Sequence, residues 1–253
     1  MKSVSVESVA EAYLEMLAAR EVDYLFGNAG TDFSPLIEAY ARRAANGAVM
    51  PRPLTVPHEV PAVAMAHGFA MVTGRPQAVM VHVTVGAANA LGGIINAARA
   101  NVPMLFTAGR TPLTESGRPG SRDRHIHWAQ ESFDQGAMAR EYVKWDYELR
   151  SGANLEVVVD RALAISRTEP QGPVYLTLPR EVLGERLESF EYSERPRMHS
   201  GGAVGPDPEA VRHAAEVVAA ARTPLIVVKS VGRDPRAVAP LVRLAETLGA
   251  PAR

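Results

Sequence analysis

Cysteine is absent from the chain. That excludes a disulfide framework, a thiolate metal site and a thiol nucleophile. Neither sign of charge is in excess: 27 Lys plus Arg face 28 Asp plus Glu, a formal net charge of -1. No field exists that would hold a nucleic-acid backbone non-specifically, so nucleic acid is not the expected partner. Long apolar runs are also missing. The weakly polar stretch from Ala78 to Ala100 is broken by His82, Asn89, Asn96, Arg99 and several glycines, which rules it out as a membrane span. The opening MKSVSVESVAEAYLEML carries acidic residues and lacks the apolar core of a signal peptide, so the expected location is cytoplasmic. Three nucleotide and hydrolase signatures, G-x-G-x-x-G, G-x-x-x-x-G-K-[ST] and G-x-S-x-G, do not occur. What remains is a chain of 253 residues, 47% apolar and 22% charged. That is the balance of a soluble globular protein with one full domain and part or all of a second.

Helical and extended patterns alternate along it. Val6, Val9, Ala10, Tyr13, Leu14, Met16 and Leu17 repeat at helical spacing between Val6 and Arg20, and the apolar run Val22 to Phe26 follows directly. A helix over Ser34 to Ala45, an extended Pro53 to Val56 and a helix over Val60 to Val72 come next. Valines 79, 81, 83 and 85 alternate with Met80, His82 and Thr84, which predicts a strand over Ala78 to Val85. A Gly- and Ala-rich helix to Ala100, a strand Met104 to Ala108, a loop Thr111 to Arg124, a helix Trp128 to Ala139, a helix Leu155 to Arg167 and a strand Val174 to Leu178 complete the series. The expected fold is α/β: a doubly wound, mainly parallel sheet with helices on both faces, over residues 1–185. Residues 186–207 are rich in turn formers and read as a linker. Residues 208–253 hold one helix–strand–helix pattern (Glu209 to Ala221, Pro224 to Val228, Arg236 to Leu248), the start of an unfinished second α/β domain.

In such sheets ligands bind beyond the carboxyl ends of the strands, so the residues leaving each strand are the candidates. The first strand exits into Gly27-Asn28-Ala29-Gly30-Thr31, either a plain turn or a loop that brings backbone close to a ligand. Glu59 opens a helix that is apolar almost all round, VPAVAMAHGFAMV, and such a helix is expected to be buried. Glu59 is then either an ordinary first-turn carboxylate favoured by the dipole or a desolvated carboxyl able to exchange a proton. Zinc is excluded at this position, because H-E-x-x-H needs a second His where Ala62 stands. His82 and Thr84 are expected on one strand face toward the crevice, although a lone histidine in a buried strand is more often a satisfied core residue. His125 and His127 lack a third metal ligand in sight, and Trp145 and Tyr147 read as aromatic anchors.

Taken together, FGNAGTDFSPLIEA, PHEVPAVAMAHGFA, VHVTVGAANALGGIINAARANVPMLFTAG, WAQES and VKWDYEL, in that order, give a pattern that resembles the thiamine-diphosphate-dependent superfamily of acetolactate synthase and benzoylformate decarboxylase. The resemblance covers the pyrimidine-binding domain and the start of the central domain. It implies thiamine diphosphate as cofactor, with Glu59 hydrogen-bonding the pyrimidine ring and promoting the tautomer that deprotonates the thiazolium. It places Gly30, Gly86 and Asn89 beside the cofactor, and Asn28, Thr31 and Gln130 on the substrate side. His82 matches the active-site histidine of the decarboxylases, which favours a 2-oxo acid decarboxylase or lyase over acetolactate synthase-like carboligation. The usual proline of the first loop is replaced by Ala29. The family's Gly-Asp-Gly…Asn motif, which holds Mg²⁺ and the diphosphate, does not occur here. Those ligands are expected outside this sequence, in a C-terminal portion or a separate subunit, and the chain by itself is expected to be inactive. The resemblance further implies a homodimer or homotetramer acting on a small 2-oxo acid; a non-catalytic subunit that needs a partner is the alternative.

Overall fold

The computed structural model describes residues 1–202 and 204–252. Ala203, in the expected linker, and Arg253, at the end of the expected second domain, lie outside the described residues. Two compact units divide the chain, Met1–Gly201 and Gly202–Arg253. In the first, the order is β1 (Lys2–Ser5), α1 (Val9–Ala19), β2 (Tyr24–Asn28), α2 (Ser34–Ala45), β3 (Arg52–Thr55), α3 (Glu59–Thr73), β4 (Ala78–Val81), α4 (Val83–Arg99), β5 (Met104–Arg110), α5 (Ile126–Ala129), β6 (Asp146–Glu148), α6 (Leu155–Arg167), β7 (Pro173–Pro179), α7 (Arg180–Leu183) and β8 (Ser189–Tyr192). Six strands form one parallel sheet in the order β3-β2-β4-β5-β7-β6. This is the doubly wound α/β architecture that the alternation of helical and extended patterns predicts.

Side-chain alternation along β4 builds both layers. Ala78 and Met80 join Leu25, Leu105, Val174 and Leu176 under α1, α2 and α6. Val79 and Val81 join Phe26, Phe106 and Ala108 under α3 and α4. In the second layer the two helices touch through small residues. A Cβ on Gly93 would lie 2.8 Å from Val63 Cγ1, and a β-branched valine cannot swing aside. Gly93→Ala is expected to cost about 1–3 kcal/mol by overpacking. Urea unfolding of G93A alone and with Val63→Ala checks it, the double variant recovering most of the loss.

Local valine content misleads at one place that matters. The strand expected over Ala78 to Val85 ends at Val81, and Thr84 and Val85 belong to α4. The chain turns at Val83, whose φ of +32° is rare for a β-branched residue, and the Gly86 N–H donates to the His82 carbonyl at 2.7 Å to start the helix. The β preference of the valines is overridden because Ala87, Ala90, Gly93 and Ile94 are buried on one helical face. The expectation that α3 is buried all round also fails. Ala62, Val63, Ala66 and Ala70 are buried, whereas Met65, Met71 and Val72 on the other side are exposed, Val72 by 87%. The helix expected from Trp128 to Ala139 is only α5 plus a turn at Gly136–Met138. The polar Gln135 between them is buried and donates to the Gly109 carbonyl and Tyr175 Oη at 2.8 and 2.9 Å.

Ser189–Tyr192, in the stretch read as a linker, is a strand paired antiparallel with Lys2–Ser5. Its alternation, Phe190 and Tyr192 inward, is only four residues long and its partner lies at the other end of the unit. Below this ribbon Glu15 accepts from Lys2 Nζ at 2.8 Å, from Arg43 Nη2 at 2.6 Å and from the Tyr192 hydroxyl. Burial works to raise its pKa, but these three donors prevail and bring it down to about 2. A carboxyl depressed in the folded state stabilises above its unfolded pKa and loses that contribution as pH falls through the folded value. Acid unfolding of Glu15→Gln is therefore expected to be flatter than that of the unaltered protein between pH ~4.5 and ~2, which a urea titration at stepped pH measures.

The second unit contains α8 (Pro208–Ala219) and α9 (Val238–Leu248). The strand expected over Pro224 to Val228 is a single bridge, Ile226 to Ala252. A strand needs a neighbour along its length, and among the described residues this stretch has none. No helix among the described residues is long and apolar enough to cross a membrane.

Candidate functional site at the sheet switch point

The chain leaves β2 toward β3 on one side and returns to place β4 on the other, so the strand order reverses between β2 and β4. That reversal opens a crevice at the carboxyl ends of the two strands. Asn28 ends β2, Glu59 opens α3, and His82 links β4 to α4. The sequence candidates thus gather at one sheet end through the topology alone.

His82 is held on both ring nitrogens. Asp32, in the turn after β2, lies 2.6 Å from Nδ1 through Oδ1, and the Gln130 side-chain nitrogen lies 3.0 Å from Nε2. The second Asp32 oxygen accepts from the Val83 backbone N–H at 3.2 Å. The hydrogen bond to Asp32 raises the His82 pKa above the ordinary imidazole value, against the opposing effect of burial, with the Asp32 and Glu59 charges adding to the rise. Two glycines make room. A Cβ on Gly30 would sit 2.1 Å from His82 Nδ1, and one on Gly109 would sit 1.6 Å from Asp32 Oδ2.

Glu59 is 6% exposed. Its Oε2 accepts from Asn89 Nδ2 at 3.3 Å and lies 3.7 Å from His58 Nδ1, and Oε1 accepts no hydrogen bond among the described residues. Gly86 sits in the first turn of α4, where a Cβ would meet Val81 Cβ at 2.9 Å. Asn28 donates to the Val56 carbonyl at 3.0 Å, tying the ends of β2 and β3 together. Thr31 is exposed on the turn beside Asp32. Gln130 is placed by the loop after β5: Thr84 Oγ1 donates to its carbonyl at 3.1 Å. Thr111 Oγ1 donates to the His127 carbonyl just before it. Glu181 anchors the same loop by accepting from the Leu113 and Thr114 N–H groups, each at 2.7 Å.

Asp32 is the residue that sequence reasoning passed over in favour of its neighbour Thr31. The one signal available was an acidic side chain directly after a Gly-rich strand exit; its 2% exposure and its reach to His82 are tertiary facts. Gly109 was likewise invisible, since nothing in FTAGR marks it as the seat of a carboxylate from another loop.

Residues 7–138 match the family described as thiamine pyrophosphate enzyme, N-terminal TPP binding domain. Benzoylformate decarboxylase of Pseudomonas aeruginosa is 26% identical over 247 residues, which is 98% of this chain and 44% of that protein. The acetolactate synthase large subunit of Haemophilus influenzae is 25% identical over 246 residues, 96% of this chain and 40% of the relative. Among solved structures, the thiamine diphosphate-dependent 4-hydroxybenzoylformate decarboxylase of Rhodococcus jostii RHA1 superimposes with a TM-score of 0.78 at 25% identity, covering 97% of this chain and 44% of its own. The chain thus spans less than half the length of these relatives. With a switch-point crevice carrying a buried glutamate, and a match running over most of the parallel sheet, the chain belongs to the thiamine pyrophosphate enzyme family and carries its N-terminal TPP binding domain.

Proposed function

We propose that the chain is the pyrimidine-side portion of a cytoplasmic, thiamine-diphosphate-dependent 2-oxo acid decarboxylase or lyase. The observation that carries this reading is Glu59, a buried carboxylate at the crevice with one oxygen held by Asn89 and the other without a partner among the described residues. That second oxygen, Oε1, is the acceptor that a protonated ring nitrogen of an aminopyrimidine needs, so the residues fit the group. When bound, thiamine diphosphate supplies the electron sink for cleavage beside the 2-oxo group. Glu59 holds and returns a proton through Oε1, while Asn89 fixes Oε2 and thereby the plane of the carboxylate. Gly86 keeps the first turn of α4 close to the strand end, and Gly30 leaves room for the His82 ring. His82 moves a proton at the substrate through Nε2, beside Gln130, and Asn28 and the exposed Thr31 hydroxyl orient the substrate. We place the ligands of Mg²⁺ and the diphosphate outside this sequence, in a further portion of the protein or a separate subunit.

A second copy of the chain is the partner this reading calls for. Val60, Met65, Met71 and Val72 on α3 and Val85 on α4 are exposed, as is Asn89, the partner of Glu59. Covering this side of α3 and α4 would bury the apolar side chains and close the site beside Glu59. Met65→Glu is expected to give a smaller particle in light scattering and to lose cofactor binding in the same preparation; an unchanged particle size removes α3 from the interface.

The activity is tested by offering the full-length protein, loaded with thiamine diphosphate and Mg²⁺, a panel of 2-oxo acids and analysing products. Release of CO₂ with an aldehyde supports the decarboxylase reading. Acetolactate from pyruvate replaces it with carboligation, and no turnover of any 2-oxo acid by a cofactor-binding protein replaces it with a non-catalytic subunit.

A further inference from the structure

We propose that Asp32 is a positioning residue that fixes the tautomer and ring orientation of His82, leaving Nε2 as the atom that exchanges a proton with substrate. The inference rests on the reading of His82 as a proton-transfer group and deepens it.

Asp32 faces two donors at once. Oδ1 takes the ring Nδ1–H at 2.6 Å and Oδ2 takes the Val83 N–H at 3.2 Å. Only a carboxylate offers two acceptors in this geometry. With Nδ1 carrying the proton, the neutral ring presents Nε2 as an acceptor, and the Gln130 amide donates to it at 3.0 Å. Every hydrogen bond around the ring then has one donor and one acceptor. On protonation Nε2 becomes a donor, and Gln130 answers by turning its amide oxygen inward. The ring can therefore change charge without moving.

The backbone is arranged around the same carboxylate. Val83 holds a φ of +32°, costly for a β-branched residue, and its N–H is the one that Asp32 accepts. Asp32 itself is 2% exposed and lies against Gly109, where any Cβ would collide with Oδ2. Gly30 does the same for the ring. Residues from three strand ends, β2, β4 and β5, thus converge on one hydrogen-bonded pair. A core histidine satisfied for packing alone would need none of this, since one backbone carbonyl would serve. Two charged groups act on the ring: Asp32 by direct contact and Glu59, from the start of α3, by its charge; Gln130 on the remaining side is neutral.

Asp32→Asn keeps the shape and removes one acceptor. The amide must then either leave the Val83 N–H unpaired or turn its nitrogen toward Nδ1, which forces the proton onto Nε2. The test has two arms. Ring-nitrogen NMR of the ¹⁵N-histidine-labelled protein, without cofactor, is expected to show the Nδ1–H tautomer for His82 and a titration midpoint above that of a free imidazole. D32N is expected to lower the midpoint and populate the other tautomer. In the full-length protein with thiamine diphosphate and Mg²⁺, D32N is expected to lower kcat by at least about 10-fold, short of the 10²- to 10⁴-fold that proton transfer itself contributes. The limb of the pH profile that reports His82 should move to lower pH, with KM little changed. An Nε2–H tautomer in the unaltered protein, or a His82 titration that D32N leaves in place, overturns the proposal; the first of these needs no variant to fold. A titration that shifts while kcat and its pH profile stay fixed overturns the catalytic reading of His82 and leaves the Asp32 pairing intact, so the two failures are distinguishable.

Discussion

Glu59→Gln is expected to lower turnover of a 2-oxo acid by about 10²- to 10⁴-fold, the range carried by a positioned proton-transfer group. The substitution is isosteric, and an amide can still meet Asn89 at Oε2's position, where the present distance is 3.3 Å. What it cannot do is take up and return a proton. If Glu59 were only a first-turn carboxylate favoured by the α3 dipole, its removal would cost about 0.3–1 kcal/mol of stability and leave chemistry alone. The two roles therefore separate in one variant. Measuring CO₂ release beside the thermal midpoint decides between them: unaltered turnover with a slightly lower midpoint leaves Glu59 a helix-end charge and nothing more.

The largest loss of stability is expected from Arg20→Met, about 3–5 kcal/mol, because it strands a buried carboxylate. Arg20 and Asp160 side chains are 1% and 0% exposed and meet through Nε–Oδ1 at 2.6 Å and Nη2–Oδ2 at 3.3 Å. Arg20 also donates to the Ser193 and Glu194 carbonyls at 2.8 and 3.2 Å, so it fastens the chain leaving β8 to the layer of α1 and α6. Removing the guanidinium leaves Asp160 with the Arg197 N–H, at 2.7 Å, as its remaining close donor. Asp160→Leu in the same protein is expected to restore part of the loss by removing the orphaned charge. It does not restore all of it, since the two carbonyls stay unpaired and the Arg197 N–H now loses its acceptor. Both tryptophans, Trp128 and Trp145, lie in the first unit, so urea unfolding followed by their fluorescence reads this unit alone. A midpoint within experimental error of the unaltered protein would show that water replaces the guanidinium at no cost.

Local periodicity was enough for most of the parallel sheet. Ser34 to Ala45 and Leu155 to Arg167 are helices at the residues where their apolar spacing put them, and the strands around Phe26, Phe106 and Leu176 carry the expected short apolar runs. Where the reading failed, the deciding contacts were distant. Valines 83 and 85 have the alternation of a strand, yet the buried small face of Ala87, Ala90 and Gly93 takes the segment into α4. Phe190 and Tyr192 alternate for too few residues to stand out among turn formers, and their strand exists through its pairing with Lys2–Ser5.

The candidate site divides along the same line. Position at a strand exit singled out Glu59 and His82 as candidates, and the resemblance carried by the ordered motifs added Asn89 and Gln130. Residue type could not say which atoms meet there. Asp32 and His82 are separated by 50 positions, and no local pattern links them. Their pairing requires β2 and β4 to be neighbours, the turn at Val83 to aim the ring, and two absent β-carbons at Gly30 and Gly109 to admit it. The sequence by itself determined the sheet, the cofactor family and the list of candidates, since those follow from short-range spacing and ordered motifs. Only the tertiary structure decided the hydrogen-bonded geometry, because hydrogen bonds form over about 3 Å between atoms that the chain alone leaves far apart.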